Sequence, residues 1–280
     1  MQKAIKRYFP VFVLPTMIAF TIGFIAPFLL GIYLSFCKFT TVTDARFIGL
    51  ENYGKVFQDP TFLHSLWYTV LFTVLSMLLI NVLAFAVALV LTKPVRGKNI
   101  FRTVFFMPNL IGGIILEYIW QLLLNGVLAH WGKTLTYSGT YGLMGMIILV
   151  CWQQIGYMMI IYISGIQNIP GELIEAAKID GANSWQVLRK VIIPMVMPSI
   201  TICTFLTLTN GFKLFDQNLA LTNGAPSKMS ELLALNIFNT FYGRAGYEGV
   251  GQAKAVIFFL IVGLVAVIQN RMTRSKEVQQ

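Results

Sequence analysis

The chain has 280 residues, 56% of them hydrophobic and 11% charged, with a net charge of +10 and a mean hydropathy of +0.71. An ordinary soluble domain is about a quarter charged; here the apolar residues cluster in long uncharged blocks, which excludes one large water-soluble core and indicates membrane spans. The basic excess flanks those blocks, so it reads as attraction to an anionic membrane surface and not as a nucleic-acid footprint.

A span needs about 20 apolar residues, and the sequence predicts six: 11–36, 65–92, 103–124, 141–166, 191–212 and 253–270. Lys3, Lys6 and Arg7 precede the first, as in a cleavable signal peptide. That run is too long for a signal core and further spans follow, so it reads as a retained helix. The second and fourth carry no charge, and the third contains Glu117. Lys254, near the start of the sixth and shortest, is expected to snorkel at the outer end. Pro15, Pro27, Pro108 and Pro198 fall inside spans, where neighbouring helices can satisfy the carbonyls that proline frees. The fold class is therefore all-α, a polytopic membrane protein forming a single domain over 1–280.

Lysine and arginine set the orientation. The two termini and the loops after the second and fourth spans together hold thirteen of the 21 basic residues, which places both termini in the cytoplasm. The outer loops 37–64 and 213–251 are long and mix aromatic, Gly, Asn and charged residues, as a partly ordered docking surface would. The loop at 130–140 is short.

Between the fourth and fifth spans lies a charged, helix-forming insert, 170–190. Pro170 suits a first helical turn. Glu172 and Glu175 favour the positive end of the helix dipole. Ala176 and Ala177 leave a flat surface, Gly181 lets the chain turn, and Asn183 with Gln186 forms a capping box for a second short helix. Arg189 and Lys190 mark the return to the lipid surface. Two readings follow from these residues: an amphipathic helix lying on the membrane, or a handle gripped by a soluble partner. The small surface of Ala176, Ala177 and Gly181 favours the second.

Nothing in the chain has the spacing of a catalytic or metal site. Gly132-Lys133-Thr134 ends like a phosphate loop, but the required earlier glycine falls on Val127. His64 and His130 are far apart in sequence, and Cys37, Cys151 and Cys203 have no paired spacing. No cofactor or metal is expected.

The insert carries a family pattern. Glu175-Ala176-Ala177, then Gly181, then Val191, Ile193 and Pro194, resembles the EAA signature of ABC-importer permeases, which usually have Ile and Leu at the two aliphatic positions. Phe215-Asp216 and Leu221-Thr222-Asn223-Gly224-Ala225-Pro226 resemble the outer segment of carbohydrate-type permeases, where Gly is usual in place of Ala225. Trp152 and Tyr157-Met158-Met159 resemble the sugar-permease span before the motif. The resemblance implies a permease subunit that does not itself hydrolyse ATP. Its coupling residues would be Glu172, Glu175, Ala176, Ala177, Asp180 and Gly181, docked on a cytosolic ATPase.

The same resemblance implies further partners: two ATPase subunits, an extracellular or periplasmic solute-binding protein, membrane lipid and a carbohydrate, with the chain in the cytoplasmic (inner) membrane. Six spans are too few to enclose a pathway, so a second, related permease in a heterodimer is expected, with a homodimer as the alternative. A sugar needs amides and hydroxyls for its OH groups and aromatic faces for its C–H faces. Trp152, Gln153, Tyr157 and Asn210, with the acid Glu117, supply those groups from the spans. Interhelical hydrogen bonding would use the same residue types. The alternatives are the same architecture importing a polyol, glycerol phosphate or peptide, or a lone ion-coupled carrier with Glu117 as its proton site.

Overall fold

The computed structural model describes residues 2–274, which are mostly helical. Lys276 and the tail after 274 lie outside the described residues, as do the side chains of Lys3, Lys6, Arg7 and Arg274. The chain forms two compact units, one from 1–60 with 237–260 and the other from 61–236 with 261–280.

In the first unit, α1 (Gln2–Phe20) runs through a widened π turn, Thr21–Ile25, into α2 (Ala26–Ser35). The π turn ends two residues before Pro27, which cannot donate to the preceding ladder, and the Thr21 hydroxyl donates to the Met17 carbonyl at 2.7 Å. Residues Val11–Ser35 are apolar enough to span a bilayer. Strands β1 (Cys37–Lys38) and β2 (Arg46–Phe47) pair antiparallel, and α3 (Glu51–Phe57) follows. The Asn52 amide donates to the carbonyls of Ser35 and Cys37 at 2.9 and 2.8 Å, closing the end of α2.

Lys254 differs from expectation. It does not snorkel: it is fully buried, its Nζ 2.7 Å from Asp59 Oδ2 and 2.8 Å from Thr240 Oγ1. A carboxylate and a hydroxyl within reach make burial cheaper than stretching to water.

The second unit is built around α4 (Pro60–Leu91) and α7 (Gly139–Gln167), both long and apolar enough to span. Between them the expected third span, 103–124, is two helices: α5 (Lys98–Leu110) and α6 (Ile114–Ala129), bent by 106°. Pro108 lies inside α5, two residues before its end, and Gly113 takes φ +107, which only glycine adopts without strain. The described helices give four continuous spans, or six if each bent pair counts as one. The second bent pair is the expected fifth span. There α9 (Ser184–Val187), a π turn Leu188–Ile192 and α10 (Ile193–Met195) meet α11 (Met197–Phe212) at 70°, with Pro194 and Pro198 on either side of the break. The segment between, α8 (Gly171–Ile179), belongs to the insert. Helices α12 (Asp216–Leu221) and α13 (Leu233–Gly243) order much of 213–251, and α14 (Glu248–Arg274) begins earlier than the expected sixth span; α13 and α14 contribute residues to both units.

Small residues let these helices approach closely, as they do where no solvent drives helices together. A β-carbon at Gly156 of α7 would overlap the backbone carbonyl of Phe105 in α5, and one at Gly211 would lie 2.9 Å from the Thr73 side chain. All three cysteines are free and buried.

Candidate functional site

The insert folds as a helix, a turn and a helix. Pro170 precedes the first helical residue, so α8 opens at Gly171 and not on the proline. At its other end the Ala182 amide donates to the Ala177 carbonyl and the Gly181 amide to that of Lys178, both at 3.0 Å. This six-to-one and five-to-two pairing requires a left-handed residue, and Gly181 supplies it with φ +80. A β-carbon there would touch nothing within 4 Å, so conformation and not space selects the glycine. Asn183 Oδ1 accepts from the Gln186 amide at 2.9 Å, and Gln186 Oε1 from the Asn183 amide at 2.8 Å, the reciprocal cap read from the sequence.

Glu172, Glu175, Ala176, Asp180 and Gly181 are exposed and Ala177 is half-buried. Two residues of this segment had not been singled out. Ile179 is 85% exposed and Trp185 65%, so the helix-turn-helix presents large apolar side chains. Behind the turn a cavity of about 370 Å³ is lined by Ala177, Asp180, Gly181, Gln186, Val187 and Lys190.

The polar residues of the spans form one main cluster where α6, α7 and α12 meet. Glu117, in the first turn of α6, is 2% exposed, and its Oε2 is buried without a protein hydrogen bond. One turn on, Gln121 donates to the Leu221 carbonyl of α12 at 2.9 Å. Trp120 and Trp152 pack with ring centroids 5.1 Å apart at 56°. Gln153 is buried and accepts from Gln217 at 3.3 Å, and Gln154 Oε1 is a second buried acceptor without a partner. Asp216 lies within electrostatic reach of Glu117.

The structure thus brings Glu117 and Gln153 to α12 and packs Trp152 on Trp120 of α6, and it separates the other two candidates. Tyr157, one turn beyond Gln153, is 38% exposed beside the Phe106 ring, 6.4 Å between centroids. Asn210 is exposed on α11, with no hydrogen bond to the cluster among the described residues. Lys213 and Asp216, spaced for a local pair, form no ion pair.

Sequence reasoning passed over Gln217, although it directly follows Asp216, and over Asn81. The Asn81 amide accepts from Tyr162 at 2.7 Å and donates to Thr207 at 2.9 Å, tying α4, α7 and α11. A lone amide in an uncharged span was the available signal.

A multi-pass helical membrane protein with broken spans, an exposed helix-turn-helix carrying the EAA pattern and a polar cluster among its helices is a membrane transport subunit by class. The chain belongs to the family described as "Binding-protein-dependent transport system inner membrane component", which matches residues 95–276. It is 42% identical, over 96% of its length and 94% of the relative's, to "Probable starch degradation products transport system permease protein AmyD" of Thermoanaerobacterium thermosulfurigenes. It is 30% identical, over 99% of both chains, to "Multiple sugar-binding transport system permease protein MsmF" of Streptococcus mutans. Its fold matches a chain from the crystal structure of a bacterial ABC transporter involved in the import of the acidic polysaccharide alginate, with TM-score 0.81, 21% identity and 98% of each chain covered.

Proposed function

We propose that the chain is the permease subunit of an ATP-driven, binding-protein-dependent importer and forms part of the pathway for a carbohydrate, an oligosaccharide derived from starch. The observation that carries this reading is the 42% identity, along nearly the whole chain, to a permease named for starch degradation products. The cluster around Glu117, Trp120, Trp152, Gln153 and Gln217 supports it chemically. Paired aromatic faces beside amides and buried acceptors suit C–H faces and hydroxyl groups.

In this reading residues 1–280 act as one permease domain of six spans, with each bent pair crossing once. Both termini and the 170–190 segment face the cytoplasm, on the side with thirteen of the 21 basic residues. Glu172, Glu175, Ala176, Ala177, Asp180 and Gly181 dock on an ATPase subunit, with Ile179 and Trp185 as its apolar anchors. Two ATPases close on binding ATP and draw this segment toward its counterpart in a second, related permease. Helices of the spans then exchange inward-open for outward-open, a two-state element biased by the docked helix. ATP hydrolysis stays on the separate ATPase, and a solute-binding protein delivers sugar at the outer face of the cytoplasmic membrane.

The test is uptake of labelled starch-derived oligosaccharides by cells carrying the wild-type chain or Gly181→Arg, with a panel of unlabelled sugars, polyols and glycerol phosphate as competitors. Uptake lost in the variant and competed only by oligosaccharides is expected. Competition by glycerol phosphate but not by sugars would sink the substrate assignment. Normal uptake by a fully inserted variant would sink the coupling.

A further inference from the structure

At the end of the spans next to the insert, α5 and α7 enclose an open cleft of about 270 Å³. Arg102, Ser164, Gln167 and Asn168 line it, with Ile160 and Ile163 toward the span. One guanidinium nitrogen of Arg102 donates to the Leu91 carbonyl at 3.2 Å and so fixes the side chain. The Nε atom is buried and has no hydrogen-bond partner. A guanidinium carries five N–H donors in a rigid fork suited to oxyanions, and a buried donor left unmade is costly. Among the described residues, the side chains of Ser164, Gln167 and Asn168 make no hydrogen bond, so a hydroxyl and two amides stand free beside the cation. Lys93, Arg96 and Lys98 precede Arg102 with no acidic residue between Asp59 and Glu117, while Glu172 follows Asn168 by four residues, so the α5 side of the cleft is its basic side.

We propose that this cleft is a binding site for a phosphate oxyanion, carried by the headgroup of an anionic membrane lipid. The chemistry would also accept free phosphate; two features favour the lipid. The cleft passes from a cationic mouth to the aliphatic Ile160 and Ile163 within one turn, matching a headgroup joined to an acyl chain. On the other side of α5 an apolar cavity of about 410 Å³, lined by Val87, Val90, Leu91, Phe101 and Phe105 among others, puts this level of the helix against hydrocarbon. The site lies on the last turn of α7, directly before the 170–190 segment, and an occupant would brace the point where that segment leaves the membrane.

The experiment is native mass spectrometry of the chain, with whatever subunits co-purify, from nanodiscs of phosphatidylcholine doped with phosphatidylglycerol. The arms are wild type, Arg102→Gln, Ser164→Ala and Lys93→Gln, each with and without added inorganic phosphate. One phosphatidylglycerol should stay on the wild type and on Lys93→Gln. Retention should fall about tenfold in Arg102→Gln, the loss of one or two charge-assisted hydrogen bonds, and less in Ser164→Ala. If inorganic phosphate displaces the lipid at millimolar levels, the oxyanion site stands and free phosphate is its occupant. Equal retention by wild type, Arg102→Gln and Ser164→Ala would overturn the site. Equal loss in Arg102→Gln and Lys93→Gln would do the same, reducing it to general attraction between a basic loop and anionic lipid. Should Arg102→Gln not fold, Ser164→Ala against Lys93→Gln still decides. None of these readouts depends on the sugar assignment.

Discussion

Gly156 of α7 lies directly against the backbone carbonyl of Phe105 in α5, with no room between them for a single methyl group. The obstacle is backbone and cannot swing aside as a flexible side chain would. Gly156→Ala must push the two helices apart, at a cost of about 1–3 kcal/mol typical of overpacking. Gly126 of α6 is the control, since a β-carbon there meets nothing within 4 Å and alanine in a helix interior is favoured by up to about 1 kcal/mol. Thermal denaturation of both variants in detergent should show a fall for the first and no fall for the second.

Gly181 is set by its φ of +80. Asparagine tolerates the left-handed region better than other side-chain-bearing residues, and alanine there costs about 1 kcal/mol. Gly181→Asn should keep most ATPase recovery in a mild-detergent pull-down and most uptake. Gly181→Arg, which adds bulk and charge to the exposed turn, should lose both while inserting normally. Equal behaviour of the two variants would remove the turn's conformation from the coupling.

Lys254 and Asp59 test a buried pair. Removing one partner strands the other charge, and Asp59→Ala should destabilise by about 3–5 kcal/mol. Replacing both, as Asp59→Leu with Lys254→Met, should recover more than half of that loss, because two apolar groups need no counter-charge. Unfolding curves of the singles and the double decide it. A double no better than the worse single would mean that Thr240 and the other neighbours, not the charge pair, set the stability.

Asp44 gives a pH signature in the 37–47 hairpin. Its carboxylate accepts from the amides of Thr40 and Thr41 at 2.9 and 3.0 Å, and those bonds hold its pKa below the usual carboxylate value. A lowered folded pKa contributes order that is present above the unfolded value of about 3.9 and is lost as the pH falls through the folded one. Amide exchange of the hairpin, corrected for intrinsic rate, should therefore quicken in that acid window. Asp44→Ala should show the fast exchange already at neutral pH and no further change on acidification.

If the cluster around Gln153 contacts sugar as proposed, Gln153→Ala should leave assembly intact and raise the half-saturating sugar concentration about fivefold, the worth of one neutral hydrogen bond. Tyr157→Phe, outside the cluster, should change it little. Comparable effects from both would mean that the cluster is packing alone.

Long apolar runs made the four continuous spans legible, because hydropathy integrates over about 20 residues and tolerates local detail. The bends were not legible. Pro108 and Gly113 were visible, yet proline often persists inside a membrane helix, and only the packing around it decides whether the helix kinks or ends. The turn at Gly181 and the cap at Asn183 were readable because both are local, fixed by neighbours within five residues. Lys254 was misread because its partner Asp59 lies 195 residues away. Gln217 escaped notice because its contact with Gln153 is equally non-local, whereas Ile179 and Trp185 look like core residues until the fold leaves them outside.

Asn81 uses both ends of its amide, one toward Tyr162 and one toward Thr207. Both bonds are directional and sit among apolar side chains, so sliding α4 by even part of a turn would break both at once, and sliding α7 or α11 alone would break one, with no water at hand to replace them. α4, α7 and α11 are thus geared together at this level. A displacement of α4 relative to α7 and α11 therefore costs two buried hydrogen bonds, whereas the breaks at Gly113 and Val196 already interrupt their helices and can bend at no such cost.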